Sequence, residues 1–175
     1  MRPTSDRQRH WPAVIKLWNK LEQAGDLYRA KYEGIYCVGH EAFIKSSELV
    51  NGLCPLHQIK PEIVKEENWF FKLTKYKNQL KQALTDGQIR LVPENRTNEV
   101  LKMLDDLEDI SFSRPRDENA WGIPIPNDPA AIFYIWPEAL SNYLSAIGYA
   151  EATEQFKTFW PADVHLVGKD ILKFH

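Results

Sequence analysis

The sequence predicts an α/β fold with a parallel sheet, and three features of its last third carry that prediction. Ala131 to Trp136 is a continuous apolar run of β-branched and aromatic residues, the pattern of a strand buried on both faces. A helix follows at once, from Pro137, a good first-turn residue, to Ile147, and Gly148 closes it. After a short helix from Thr153 to Trp160, a second buried strand is expected over Val164 to Gly168. Strand, helix and strand in that order predict a right-handed crossover between parallel neighbours. Asp170 is placed to cap a last helix, of which Ile171 to His175 forms one turn. Two strands do not complete such a sheet, so the chain is expected to be a piece of a larger protein and to fold poorly alone.

From the N-terminus, Val14, Leu17, Trp18 and Leu21 form one apolar stripe at i, i+3, i+4 and i+7, which predicts a helix over Trp11 to Ala24 with Gly25 as its stop. Leu27 to Cys37 is Tyr-rich and partly alternating, a strand or a hairpin broken at Gly34. Residues 37–63 have little periodicity and read as a small loop-rich module. Glu66 to Thr74, with Trp69, Phe70, Phe71 and Leu73, is a short strand or buried turn. A polar helix is expected from Tyr76 to Leu84, and a second helix from Asn95 to Leu107 on the stripe Val100, Leu101, Leu104 and Leu107. Asp109 to Arg114 reads as extended, and Pro124, Pro126 and Pro129 argue against regular structure around them.

Composition excludes several function classes. In 175 residues, 22 Lys and Arg stand against 24 Asp and Glu, a net charge of −2, so there is no global basic footprint for nucleic acid. An apolar fraction of 43% is too high for a disordered tail. The longest apolar run, Ala130 to Trp136, is far too short to span a membrane, and no apolar stretch follows the charged N-terminus as a signal peptide requires. Two cysteines cannot build a disulfide framework. The expectation is a cytoplasmic globular protein without membrane contact.

The sharpest local pattern is Cys37-Val38-Gly39-His40 with Cys54-Pro55-Leu56-His57. Zinc prefers four thiolate or imidazole ligands in a tetrahedron, and two intervening residues let a tight turn present a pair of them to one ion. Cys37, His40, Cys54 and His57 are therefore candidate ligands of a structural zinc, since four protein ligands leave no open position for catalysis. The competing reading is two buried cysteines beside surface histidines, without metal.

Two further groups attract attention. His165-Leu166-Val167-Gly168-Lys169-Asp170-Ile171 sits where open α/β sheets bind ligands, with His175 four residues beyond Ile171 on the same helix face. On periodicity alone the better reading is a plain strand, a glycine turn and a helix capped by Asp170. Ser113-Arg114, Trp121-Gly122-Ile123-Pro124, Tyr134-Ile135-Trp136 and Tyr143 form the other group, and taken alone its aromatics read as core.

Together these segments resemble methionyl-tRNA synthetase, a class I aminoacyl-tRNA ligase. The residues that carry the resemblance run through almost the whole chain: Thr4-Ser5-Asp6, Gly25-Asp26-Leu27-Tyr28, Tyr32-Glu33-Gly34, Tyr36-Cys37 to Glu41-Ala42-Phe43, Cys54-Pro55-Leu56-His57, and Glu66 to Phe71. They continue through Ser113-Arg114, Trp121-Gly122-Ile123-Pro124, Tyr134-Ile135-Trp136 and Trp160-Pro161-Ala162-Asp163 onward. The ending Val167-Gly168-Lys169-Asp170-Ile171 to Phe174-His175 is the specific part, and it points to methionine.

The resemblance implies part of a Rossmann-type catalytic domain interrupted by a connective domain with a zinc knuckle. Residues 1–29 would end the first Rossmann half, 30–110 would be the connective domain, and 111–175 would start the second half. Arg114 and Asp170 would pair in the active site. Trp136, Ala139, Leu140, Tyr143, Ile171 and His175 would line the methionine pocket. The implied substrates are methionine and ATP with Mg2+, and tRNA in the full-length ligase. His40 stands where the family usually has cysteine, which keeps a ligand atom at that place. The family's His-Ile-Gly-His and Lys-Met-Ser-Lys-Ser signatures, which position and stabilise the reacting α-phosphate, do not occur in this chain. No activity is therefore expected from these residues alone. The alternative is a standalone, non-catalytic zinc-knuckle binding module derived from the same fold.

Overall fold

A computed structural model describes residues 6–39, 42–44, 46–117 and 121–175. Its first element is the helix α1 (His10–Gln23), within a residue of the span that the Val14–Trp18–Leu21 stripe predicts. Gly25, at φ +68°, ends it, and the chain turns directly into a long strand. That strand is β1 (Leu27–Cys37), which pairs antiparallel with β2 (Ala42–Ile44) and with β3 (Glu62–Phe71). Gly34 does not break it: Gly34 pairs with Val64 in an unbroken register from Leu27–Phe71 to Tyr36–Glu62. Two polar helices follow, α2 (Lys77–Thr85) and α3 (Thr97–Asp105). The short strand β4 (Ile110–Ser111) then completes a four-stranded sheet of order β2-β1-β3-β4.

The chain crosses from this sheet to a second one at Phe112. Phe112 N donates to Trp69 O and Ser113 Oγ accepts from Trp69 N, both at 2.8 Å, so the start of β5 (Ser113–Pro115) is bonded to the end of β3. The second sheet has the order β5-β7-β6, where β6 is Pro124–Ile125 and β7 is Asp128–Phe133. It is antiparallel throughout, which corrects the parallel crossover expected from the sequence. The strand predicted over Ala131 to Trp136 begins earlier and ends at Phe133, and it has partners on both sides. Prolines do not prevent this. Pro126 and Asn127, the latter at φ +62°, make the turn, while Pro124 and Pro129 sit at the irregular end of the ladder.

The predicted helix over Pro137 to Ile147 is two short pieces, α4 (Ile135–Leu140) and α5 (Asn142–Ser145). Ser141 Oγ donates back to Pro137 O at 2.6 Å, a local bond that competes with the helical ladder at the junction. Thr153 caps α6 (Glu154–Phe159) by accepting from Phe156 N at 3.1 Å. Val164 to Gly168 forms no strand and joins no sheet among the described residues, with Val164 72% and Leu166 92% exposed. The expectation of a second buried strand therefore fails. A short 3-10 helix, Lys169–Phe174, follows with Gly168 rather than Asp170 in the capping position.

The main core joins α1 to both sheets. Val14 and Trp18 from α1 meet Leu27 of β1, and Ile123, Ile125, Ala131 and Phe133 of the second sheet. Asp26, at the corner between α1 and β1, is also buried. Lys75 Nζ and Tyr76 Oη each donate to its carboxylate at 2.5 Å. These bonds, that of Lys75 foremost, hold the Asp26 carboxyl below the usual carboxylate range against the opposing effect of burial. A depressed folded-state value stabilises the fold above the unfolded-state value of about 3.9, and that contribution disappears as pH falls through the folded-state value. Asp26→Asn is therefore expected to cost about 1.5 kcal/mol near neutral pH. Thermal unfolding of both proteins from pH 7 downward should show the two melting temperatures converging in acid; a gap that stayed constant would contradict this.

Candidate functional site

Two places gather chemistry-bearing side chains. The first is the turn pair at the end of β1. Val50 and Leu53 exchange two backbone hydrogen bonds of 3.0 Å around Asn51 and Gly52, both in the left-handed region, which makes a tight two-residue hairpin. The chain leaves it at Cys54, and a further turn, closed by Gln58 N to Cys54 O at 2.8 Å, carries His57. Cys37 and Cys54 are fully buried and not joined in a disulfide. His57 Nδ1 lies 3.9 Å from Cys37 Sγ and 3.7 Å from Cys54 Sγ, and the three ligand atoms fall within 4.8 Å of one another. A tetrahedral zinc with its usual bond lengths separates a sulfur and a nitrogen ligand by about 3.6 Å, so these spacings fit.

Burial pushes the Cys54 thiol up, but hydrogen bonding from the His57 backbone, the Cys37 side chain and the Leu56 backbone outweighs it and leaves the thiol below its ordinary value. A lowered thiol favours the thiolate that a metal takes. Gly39 shapes the site as well. A Cβ there would stand 2.7 Å from His57 Cγ, so only glycine lets the ring lie this close to the β1 turn. His40, the fourth candidate ligand, lies outside the described residues.

The second place surrounds α4, α5 and the terminal 3-10 helix. Tyr143 Oη and His175 Nε2 are 2.9 Å apart, and His175 Nδ1 lies 2.9 Å from Ile171 O. Both ring nitrogens of His175 are thereby engaged, with Tyr143 and Ile171 beside it. His165 adds an edge-on contact to Tyr143 at 5.2 Å between centroids, and Trp160 reaches His165 at 6.2 Å. Trp136, Ala139 and Leu140 are half-buried on α4, one short helix before Tyr143. Tyr143 is 42% and Ile171 38% exposed, so this is an open face rather than an enclosed cavity.

Arg114 belongs to a neighbouring cleft. Its Nη1 donates to Ser111 Oγ at 2.8 Å and to Ser113 O at 2.7 Å, and its guanidinium lies 3.8 Å over the ring of Tyr134. The cleft, of about 260 Å³, is walled by Arg114, Trp121, Ile132, Tyr134, Ile135 and Glu138 among others. None of the six residues expected around methionine lines it. Asp170 lies in the terminal 3-10 helix, but its side chain falls outside what is described, and with it the expected pairing to Arg114.

Sequence reasoning missed the supports of these groups. Ser111 and Tyr134 were visible beside Arg114 but not as its holders; the i−3 spacing of Ser111 was the available signal for one of them. Gly39 was visible only as part of a motif. His10, which bonds to both Glu138 and Ser145 across more than a hundred residues, carried no local signal.

Two antiparallel sheets packed against one helix, a Cys/His turn pair and a Tyr–His face together place the chain in the class I tRNA synthetase family. Residues 3–59 and 44–175 match the family described as tRNA synthetases class I (M), and the chain belongs to that family. Among curated relatives, it is 43% identical over 169 residues to the methionine-tRNA ligase of Clostridium perfringens, covering 95% of this chain and 26% of that protein. The methionine-tRNA ligase of Streptomyces coelicolor is 41% identical over 178 residues, covering 97% of this chain and 33% of that protein. The chain thus spans a quarter to a third of the length of these curated relatives. Among solved structures, it is similar to Mycobacterium tuberculosis methionyl-tRNA synthetase in complex with methionyl-adenylate, with a TM-score of 0.85 and 35% identity over 100% of this chain and 35% of that one. No helix among the described residues is long and apolar enough to cross a membrane.

Proposed function

We propose that these residues are the segment of a methionine-tRNA ligase that contributes its methionine pocket. The observation that carries the reading is the Tyr143–His175 bond of 2.9 Å, which joins two of the six expected pocket residues across 32 positions of sequence. Membership in the family supports it. Trp136, Ala139 and Leu140 would supply one wall, and Tyr143, Ile171 and His175 the other. A thioether gains about 0.3–1.5 kcal/mol against an aromatic edge, which Trp136 and Tyr143 offer, while His175 gives a polar contact near the sulfur. Rejection of a side chain one methylene different yields only about 1–3 kcal/mol, so the shape set by the rings has to carry much of the selectivity. Arg114, held by Ser111 and Tyr134, would meet Asp170 at the edge of the site.

The whole ligase would activate methionine with ATP and Mg2+ and pass it to tRNA, in the cytoplasm. That chemistry is assigned to the complete enzyme and not to these residues alone. Residues 1–29 and 111–175 would belong to the Rossmann-type halves and 30–110 to the connective domain, with a structural zinc held by Cys37, His40, Cys54 and His57. Bound there, zinc would tie the end of β1 to the Cys54 turn.

The test is steady-state ATP–pyrophosphate exchange by a full-length ligase containing this segment, with each substrate varied in turn. Trp136→Ala empties the pocket wall, so the KM for methionine is expected to rise by about tenfold or more, the loss of a buried aromatic contact, while the KM for ATP stays nearly constant. Equal effects on both constants would contradict the assignment.

A further inference from the structure

His10 opens α1 and is fully buried, yet its side chain bonds outside its own helix. Its two nitrogens reach elsewhere. Nε2 lies 2.6 Å from Glu138 Oε1 and Nδ1 lies 2.9 Å from Ser145 Oγ, partners 128 and 135 residues away in sequence. With Nε2–H donating to the carboxylate, Nδ1 is left to accept the serine hydroxyl, so both ring nitrogens are satisfied. Glu138 and Ser145 are themselves buried, at 6% and 1% exposure, and no solvent competes for these bonds.

The two partners sit on different helices. Glu138 is on α4, flanked by Trp136, Ala139 and Leu140; Ser145 is on α5, two residues after Tyr143. These helices have 6 and 4 residues, too short to hold their own geometry, and they meet at Ser141, where the ladder is interrupted. One imidazole therefore clamps both sides of a weak joint. Further along α1 a second tether is added: Lys16 Nζ donates to the carbonyls of Tyr149 at 3.0 Å and Ala150 at 2.9 Å, just beyond α5.

We propose that His10, through Glu138 and Ser145, is a positioning residue that sets the placement of α4 relative to α5 and thereby the geometry of the methionine pocket. This rests on the pocket reading above for its functional part; the placement itself does not. A buried network that served only stability would raise the melting temperature and leave the Tyr143–His175 contact untouched whenever the chain is folded. A positioning network moves that contact first.

The experiment uses the full 175-residue chain, isotope-labelled, as wild type, His10→Ala, Ser145→Ala and Glu138→Gln. Nuclear Overhauser contacts between the Tyr143 and His175 rings report the geometry, and amide exchange along the β1–β3 ladder reports global folding. In His10→Ala the ring contacts are expected to vanish while the ladder stays protected. Glu138→Gln should keep them, because its amide oxygen still accepts from Nε2–H. If His10→Ala does not fold, Ser145→Ala decides: it removes the α5 arm alone and should weaken the contacts in a protected ladder. Ring contacts at wild-type strength in the folded His10 variant, or in Ser145→Ala when that variant has to decide, would overturn the proposal. Methionine titration of a full-length ligase containing this segment supplies the functional arm, with affinity expected to fall by about tenfold in His10→Ala, or partially in Ser145→Ala. A wild-type ligase that binds methionine no more tightly than its Trp136→Ala variant would refute the pocket reading, while the chain variants would still decide the role of His10.

Discussion

Replacing Cys54 by alanine is expected to strip the chain of zinc. The wild-type protein, dialysed and analysed for metals, should carry close to one equivalent, and the variant close to none. Cys54 is fully buried, 3.7 Å from His57 Nδ1 and in the same cluster as Cys37, so its loss removes a thiolate from the centre of the donor set. Structural zinc binds small domains with an apparent free energy of about 10–16 kcal/mol near neutral pH, and much of that is folding free energy. The local core cannot replace it. Among the described residues, the buried apolar cluster around the two cysteines holds only Ile44, with Leu49 packed against it. Gly39→Ala probes the same site without touching a ligand. Its Cβ would force the His57 ring aside, and a displaced ligand of this kind is expected to lower affinity by about 10–100-fold. Unchanged zinc content in Cys54→Ala would rule out this ligand set.

Trp18→Ala is expected to be the most damaging core substitution. Trp18 is 1% exposed and meets Trp69 of β3 edge-on at 5.6 Å between centroids and Phe133 of β7 at 5.0 Å. It thus touches an aromatic ring in each sheet. Large-to-small changes of a buried aromatic cost about 3–5 kcal/mol, part transfer and part cavity. For a domain of this size that corresponds to a fall in melting temperature of about 6–20 °C. Calorimetry checks it. A fall within error of zero would mean that the two sheets are held together by something other than this junction.

Much of the molecule was legible because its signals are local. The stripe from Val14 to Leu21 with Gly25 behind it defined α1 almost to the residue, and Cys37, Cys54 and His57 were drawn together by spacing alone. What failed were inferences about partners. The apolar run at Ala131 is compatible with any strand covered on both sides, and here antiparallel β5 and β6 cover it in place of parallel neighbours. Val164 to Gly168 has the composition of a strand and no ladder among the described residues, since hydrogen-bond partners are not written into the segment that needs them. Pro124 and Pro129 argue locally against regular structure, yet a hairpin tolerates them at its irregular end. The expected weakness of unpartnered strands does not apply to β7. The pocket residues came from family resemblance, and periodicity would have left Trp136 and Tyr143 as ordinary core.

The claim at the centre of this account is that α4, α5 and the terminal 3-10 helix present a surface for the methionine side chain. Titration of a full-length ligase containing this segment with methionine labelled with carbon-13 in its methyl group, followed by proton–carbon correlation, tests it most directly. Aromatic rings at Trp136 and Tyr143 should shift the methyl resonance upfield in a saturable way, and Trp136→Ala should abolish most of that shift. A methyl resonance that does not move, or that moves equally in Trp136→Ala, would contradict the account.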